Sequence, residues 1–426
     1  MTIVILILLL FVLIFAACPI CWAIGIVGVV GMMLVNGNPM TMIPQCLYSG
    51  INYYTLIAVP FFVFAGEIMN KGGITKKLID LSKLIIGRVP ASLAHVNILS
   101  SMFFGGITGS AQADTSCIGG ILIPAMVEDG YSKEEAVAVT ASSSCIGPII
   151  PPSIIMVLYG STMNVSIGKM FMGSLLPGIL VGLGLMTVVV LRDRKYHFPR
   201  STKKYTRSEA KKILVDALIP LGMPVILMGG ILGGVFTATE AGAIAVVYSL
   251  IVSVYVLHTV TWKDTVSMLK TSAQTTAAIL MIVGCSKILS WVMALLKISA
   301  IIGSFFSVHV ASKLLFLLLV NILLLFVGTF MDASASLILL APILAPIAVS
   351  YGVDPIHFGI IMCINLVIGH ATPPLGLCLF IGCKIGQVSL GKGGLAILPY
   401  VIGEVVVLLI VTYFPWITQI LPSLMM

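Results

Sequence analysis

Runs of about 20 apolar residues succeed one another along the whole chain of 426 residues, and each is long enough to cross a bilayer as a helix. In hydrocarbon every backbone polar group must find its partner within the protein, so only helices and closed barrels span. A barrel strand alternates polar and apolar residues in short segments, and no such pattern occurs here. Charged residues make up 9% of the chain, where a soluble domain carries about 25%. The longest polar stretch, about 21 residues, is too short for a separate soluble domain. The fold class is therefore all-α, a polytopic membrane protein embedded in a lipid bilayer.

A net charge of +8 invites a nucleic-acid partner, but the charge is concentrated in two segments. Residues 192–212 hold nine basic and two acidic residues, and residues 71–88 hold five basic and one acidic. Together they carry 14 of the 23 Lys and Arg, which is the positive-inside signal. No nucleic acid is expected, and both segments are predicted to be cytoplasmic loops. No charged side chain precedes Glu67, so the basic start of a signal peptide is missing. The stretch "IFAAC" and the lone Cys18-x-x-Cys21 are taken as membrane helix with free thiols, since no second ligand pair accompanies them.

The chain matches itself when shifted by 222 residues. Gly106 meets Gly328, Ala111 meets Ala333, Pro124 meets Pro346, Gly130 meets Gly352, Gly147 meets Gly369 and Pro151-Pro152 meet Pro373-Pro374. No gap is needed over about 55 residues. The matches are mostly glycine and proline, which set backbone shape. Each repeat opens on an apolar stretch interrupted by "GGITGSAQADT" or "VGTFMDASAS", predicted as the tip of a re-entrant hairpin. Each continues into a helix broken by "GPIIPPS" or "GHATPPLG".

Single crossings are predicted over 136–160, 169–191, 216–235, 238–258 and 271–297. Five crossings put the second hairpin on the opposite face, so the repeats are inverted, as in secondary transporters. The expected organisation is N-terminal scaffold helices over 1–90 and a first transport repeat over 91–168. Scaffold helices with the basic loop follow over 169–297, then a second transport repeat over 298–390 and a C-terminal helix over 391–426.

A helical proline frees the carbonyl four residues earlier. Pro151 and Pro152 should free Gly147 and Pro148, and Pro373 and Pro374 should free Gly369 and His370. Such carbonyls, with hydroxyls from the tips, suit a hard monovalent cation. One sodium site is predicted from Gly106, Thr108, Gly109, Ser110, Gly147 and Pro148. A second is predicted from Gly328, Asp332, Ser334, Ser336, Gly369 and Thr372. Half-helix N-termini can face an anion. Substrate contacts are expected from Ser110, Ser153 and Asp332.

Asp332 aligns with the neutral Ser110, and it could hold sodium, substrate hydroxyls or both. Asp114 either shares that chemistry or caps the returning hairpin helix. Glu67, Glu240 and Glu404 are expected near segment ends, within reach of solvent or headgroups. His370 is expected to act as a hydrogen-bonding spacer, and Lys287 and Lys297 to snorkel.

The segments "GITGSAQAD", "GYSKEEAVAVTASSSCIGPIIPPS", "GGVFTATEAGAIAVVY" and "VDPIHFGIIMCINLVIGHATPPLG" resemble the large membrane subunit of tripartite ATP-independent periplasmic (TRAP) transporters, over nearly the whole chain. The resemblance implies an elevator-type, sodium-driven importer of organic acids in a bacterial inner membrane, with Na+ as coupling ion. It also implies two partners, a small four-helix membrane subunit on a separate chain and a periplasmic substrate-binding protein. The family includes importers of sialic acid and of C4-dicarboxylates. Neither tip nor break contains Lys or Arg, and Asp332 adds negative charge, so a hydroxylated monoanion such as sialic acid is favoured over a dianion. Two other classes stand beside this one. Membrane aspartates occur in intramembrane aspartyl proteases, but "GSAQAD" and "GTFMD" lack the Tyr-Asp and Gly-x-Gly-Asp motifs. A channel needs no inverted repeat.

Overall fold

The computed structural model describes residues 2–16, 18–36, 41–200, 205–310 and 312–424, so residues 201–204 of the basic segment lie outside it. The first half runs α1 (Thr2–Phe15), α2 (Ile20–Asn36), α3 (Met42–Ile51), α4 (Ala58–Lys71), α5 (Ile74–Ile86), α6 (Ser92–Thr108), α7 (Ala111–Glu128), α8 (Lys133–Ser143), α9 (Ile154–Met163) and α10 (Ile167–Tyr196). The second half runs α11 (Arg207–Leu232), α12 (Ala238–Leu250), α13 (Trp262–Leu295), α14 (Ile298–His309), α15 (Lys313–Phe330), α16 (Ala333–Ser350), α17 (Pro355–Gly369), α18 (Leu377–Gly386) and α19 (Leu390–Tyr413), and α20 (Trp416–Ser423) follows. No strand occurs among the described residues. Among the described residues seven helices are long and apolar enough to cross a membrane, and the pair α3–α4, bent by 59°, makes an eighth if taken as one span.

The two halves repeat the same order of elements. The hairpin α6–α7 and broken helix α8–α9 correspond to α15–α16 and α17–α18, and α10 corresponds to α19. Earlier in the chain α2 corresponds to α12, the bent pair α3–α4 to the continuous α13, and α5 to α14. The repeat thus extends well beyond the gapless stretch seen in the sequence. Its N-terminal part is hidden because one copy breaks at Asn52–Tyr53 where the other stays helical.

Contacts at the helix ends set the orientation. Lys77 Nζ lies 3.8 Å from Asp216 Oδ1, Thr259 donates to the Gly72 carbonyl at 2.9 Å, and Tyr131 stacks on Phe198 with centroids 5.0 Å apart. Arg192 grips Glu135 through Nε at 2.8 Å, and Tyr400 also donates to Glu135. Both basic segments and the open end of the first hairpin therefore share one end of the bundle. The open end of the second hairpin joins the far end of α9, where Tyr159 donates to the Pro355 carbonyl at 2.9 Å. The hairpins enter from opposite ends, and the repeats are inverted.

Two expectations need correcting. Residues 71–88 are not a loop but mostly the helix α5, which buries Ile74, Leu78, Ile79 and Leu81 and leaves Lys76 exposed. Its helical spacing is masked in the sequence by its lysines. Most of 192–212 is likewise helical, since α10 continues to Tyr196 and α11 begins at Arg207 under a Thr206–Glu209 capping box. The helix α10, grouped with the scaffold by sequence, packs instead on the repeats: Cβ atoms built on Gly178 and Gly182 would meet Ile150 and Met102 at 2.5 Å.

Candidate functional site

The first hairpin turns at Gly109, whose φ of +59° suits glycine, and a Cβ there would stand 2.8 Å from the Pro152 carbonyl. The tip therefore rests directly on the first break. Ser110 caps α7, accepting from Ala113 N at 3.4 Å and donating to Gln112 Oε1 at 3.2 Å. At the second tip Asp332 caps α16 through Oδ1, which accepts from Ser334 N at 2.9 Å and Ala335 N at 3.4 Å. His370, in the second break, accepts from Ala333 N through Nε2 at 3.0 Å and so supports that tip. The two tips meet where Gln112 Nε2 donates to Asp332 Oδ2 at 3.2 Å.

Each hairpin also touches its own break through glycine. A Cβ on Gly105 would lie 2.7 Å from Gly147 Cα, and one on Gly369 would lie 2.5 Å from the Gly328 carbonyl carbon. Gly106, the sequence counterpart of Gly328, instead faces Pro224 and Pro151. Both breaks contain a cis peptide, Pro151-Pro152 and Pro373-Pro374. Cys145 Sγ donates to the Val367 carbonyl at 3.2 Å, and these two residues are 222 positions apart, each the repeat counterpart of the other. The pseudo-two-fold axis passes beside this contact.

The freed carbonyls are not equivalent. In the first break the Pro148 carbonyl accepts the Ser153 hydroxyl, and no hydrogen bond among the described residues reaches the Gly147 carbonyl. In the second break, contrary to expectation, the Gly369 carbonyl accepts from Thr372 N at 3.0 Å and the His370 carbonyl from Cys378 N at 2.9 Å. Two turns of backbone close on themselves there.

Among the predicted hydroxyls, Thr108 donates to Phe104 O at 3.4 Å and Thr372 to Ile368 O at 2.9 Å. Ser336 is fully buried with no partner for its hydroxyl among the described residues. Ser153 is buried, and it caps α9.

Asp114 does not cap the hairpin helix, since Ser110 does. It is fully buried; its Oδ1 accepts from Ser101 at 3.0 Å and Ser144 at 3.3 Å, while Oδ2 has no partner among the described residues. A Cβ on Gly147 would lie 3.5 Å from that oxygen, so the orphaned oxygen sits beside the first break. Asp114 is not among the residues expected from the sequence to hold sodium, and its place one turn after the Ser110 cap sets its free oxygen beside that group. Glu404 is not near a segment end: it lies within α19, fully buried, with neither carboxyl oxygen partnered among the described residues. Glu240 is exposed in the capping box of Thr237, as its place at a segment end implies.

A cavity of about 690 Å³ lies between the two tips and the helices α4 and α13. Ser110, Gln112, Asp332 and Ser334 line it on one side, and Glu67, Asn70 and Thr275 on the other, whereas Ser153 does not reach it. Asn70 belongs to the last turn of α4, so the cavity extends toward the end that carries the basic segments. No Lys or Arg lines it among the described residues.

Comparison with known proteins agrees with this architecture. Residues 7–417 match the sequence model of the family described as "Tripartite ATP-independent periplasmic transporter, DctM component". The chain is 36% identical to the sialic acid TRAP transporter large permease protein SiaM of Vibrio cholerae, over 97% of this chain and 96% of that one. It is 37% identical to the C4-dicarboxylate TRAP transporter large permease protein DctM of Pseudomonas aeruginosa, over 94% of each. It is 32% identical to the 2,3-diketo-L-gulonate TRAP transporter large permease protein YiaN of Escherichia coli, over 93% of each. Among solved structures, the fold resembles the YdaH transporter of Alcanivorax borkumensis, with a TM-score of 0.64 at 14% identity over 87% of this chain and 86% of that one. A membrane-spanning chain with matching repeats, joined hairpin tips and this sequence kinship belongs to the DctM component family of tripartite ATP-independent periplasmic transporters.

Proposed function

We propose that this chain imports an organic acid monoanion across the bacterial inner membrane in symport with sodium. The observation that carries this reading is the joined pair of hairpin tips, Gln112 on Asp332, above a cavity with buried and partly unpartnered oxygens behind it. Sodium fits the donor set. Asp114 Oδ2 and the Gly147 carbonyl offer one anionic and one neutral oxygen beside the first break, and Ser336 offers a hydroxyl behind the second tip. Carboxylate, carbonyl and hydroxyl oxygens are the ligands of hard cations. An orphaned buried carboxylate oxygen is costly unless a cation or proton meets it.

The substrate reading rests on charge. The cavity presents Glu67 and Asp332 and, among the described residues, no Lys or Arg, which disfavours a dianion. Relatives carry sialic acid, C4-dicarboxylates or 2,3-diketo-L-gulonate by name, and a hydroxylated monoanion suits this cavity best. In this account the two hairpin–break units move as one block, an elevator, against α2, α4, α12 and α13. Contacts between the repeats, such as Cys145 to Val367 and Tyr159 to Pro355, support such a unit. The chain works with a small membrane subunit and a periplasmic binding protein, as its family does.

The test is uptake into proteoliposomes with both partners present, across N-acetylneuraminate, gluconate and succinate, with and without an inward sodium gradient. The account expects a sodium-dependent uptake of one of the monoanions. Equal uptake in sodium-free potassium buffer would remove the symport, and uptake of succinate alone would remove the monoanion.

A further inference from the structure

A second, smaller cavity lies between the framework and the repeats, lined by Tyr53, Ser161, Thr162, Ser286, Lys287 and Ser290 among others. Its volume is about 100 Å³, too small for an organic acid as it stands. Lys287 carries the charge of this cavity. It sits well inside α13, its ammonium lies 5.9 Å from the Tyr53 ring centroid, and no carboxylate pairs with it among the described residues. Its side chain is exposed, as expected of a lysine that snorkels, so the ammonium is free to meet an anion that reaches this face.

The inverted repeat shows what this cavity becomes. The helices α5 and α14 both start from a left-handed N-cap, Gly73 at φ 73° and Lys297 at φ 51°. Aligning these two junctions pairs Val63 with Lys287 and Gly66 with Ser290. Val63 and Gly66 line the large cavity under the hairpin tips. Lys287 and Ser290 therefore occupy, on α13, the face that α4 turns toward the tips in the present state. When the repeats exchange roles, this face of α13 lines the access path from the opposite, periplasmic side. At present that path is held closed where Thr55 and Ser161 share a hydrogen bond of 2.7 Å.

We propose that Lys287 binds the substrate carboxylate in the periplasm-open state, with the Ser290 and Thr162 hydroxyls beside it. The inference rests on the transport reading above and deepens it. One unpaired ammonium matches one carboxylate, in keeping with a monoanion. Its repeat counterpart is the uncharged Val63, and the cytoplasm-reaching cavity carries Glu67 instead. The anion is thus attracted on the side of capture and finds no cation on the side of release. Such an asymmetry changes affinity on the two sides and leaves the overall driving force untouched.

Two measurements test it. In the first, Ser290→Cys is labelled from the periplasmic side with anionic and cationic methanethiosulfonates, in the assembled complex. Lys287 should favour the anionic reagent, and Lys287→Gln should cut the anionic-to-cationic rate ratio by about tenfold. In the second, N-acetylneuraminate uptake is followed at saturating sodium. Lys287→Gln should raise the half-saturating concentration about 10- to 100-fold, with the sodium requirement unchanged, and Lys287→Arg should largely restore it. A merely structural lysine would lower the amount of folded protein and leave the half-saturation in place. An unchanged labelling ratio, or an unchanged half-saturation, overturns the assignment. If the wild-type complex takes up none of the acids tested, the transport reading falls, and the labelling ratio alone decides the role of Lys287.

Discussion

Gln112 on the first hairpin tip donates to Asp332 on the second, and this single bond joins the two inverted repeats at the wall of the large cavity. The two carboxylate oxygens of Asp332 are divided. Oδ1 holds the start of α16, and Oδ2 faces Gln112.

That division makes Asp332→Asn informative. An asparagine keeps the cap and removes the charge. Losing a charged hydrogen bond costs about 1.5–3 kcal/mol, roughly a 10- to 150-fold loss of affinity. The expected outcome is a raised half-saturating substrate concentration at saturating sodium, read from initial uptake rates. If sodium dependence shifts instead and high sodium restores substrate affinity, Asp332 serves the ion.

Asp114 should behave in the opposite way. Its free Oδ2 lies against the first break, away from the cavity lining. Asp114→Asn is expected to raise the half-saturating sodium concentration by about tenfold or more, while a saturating sodium level restores substrate affinity. Added sodium should raise the melting temperature of the purified wild-type protein and leave that of the variant in place, because an ion that binds only the folded state stabilises it. An unchanged sodium curve would take Asp114 out of the ion site.

Glycine contacts make a separate prediction about the fold. A Cβ on Gly369 would lie 2.5 Å from the Gly328 backbone, which has no side chain to turn aside. Gly369→Ala should destabilise by about 1–3 kcal/mol through forced backbone shifts. Gly391, in the first turn of α19, has open space at its Cβ position, and Gly391→Ala should be neutral or slightly stabilising. Melting temperatures of the two variants, measured side by side in one detergent, would contradict the packing if they agreed.

At the end that carries the basic segments Glu135 is buried under Arg192 and Tyr400, linking α8 to α10 and α19. Removing one partner leaves the other charge without its match. Glu135→Gln is expected to cost about 3 kcal/mol, and Arg192→Met a comparable amount. A double variant should cost clearly less than the sum, read from a thermal double-mutant cycle. Additive costs would show that the two side chains do not act as a pair.

Much of this was legible in the residues because glycine and proline fix backbone shape wherever they fall. Gly147, Pro151 and Pro152 mark a break whatever surrounds them, and Gly369, Pro373 and Pro374, 222 residues on, do the same, whereas Gly109 marks the first tip alone because its counterpart is Met331. What escaped had no such marker. The bent α3–α4 pair and the continuous α13 share a role but not a local pattern. The helix α5 hid its buried stripe among lysines. Glu404 shows its isolation only once α19 is packed, since burial depends on neighbours distant in sequence. The unequal fate of the Gly147 and Gly369 carbonyls likewise depends on how each break closes, which proline spacing does not specify.

The account stands most directly on coupled flux. Proteoliposomes holding the assembled complex, free of any sodium gradient, are given an inward gradient of the transported acid together with its binding protein, and entry of radioactive sodium is followed. A symporter must carry sodium inward with the acid, so sodium should enter above its leak, and Asp114→Asn should reduce that entry when external sodium is below saturation. Acid uptake with sodium entry no faster than in empty vesicles would contradict it.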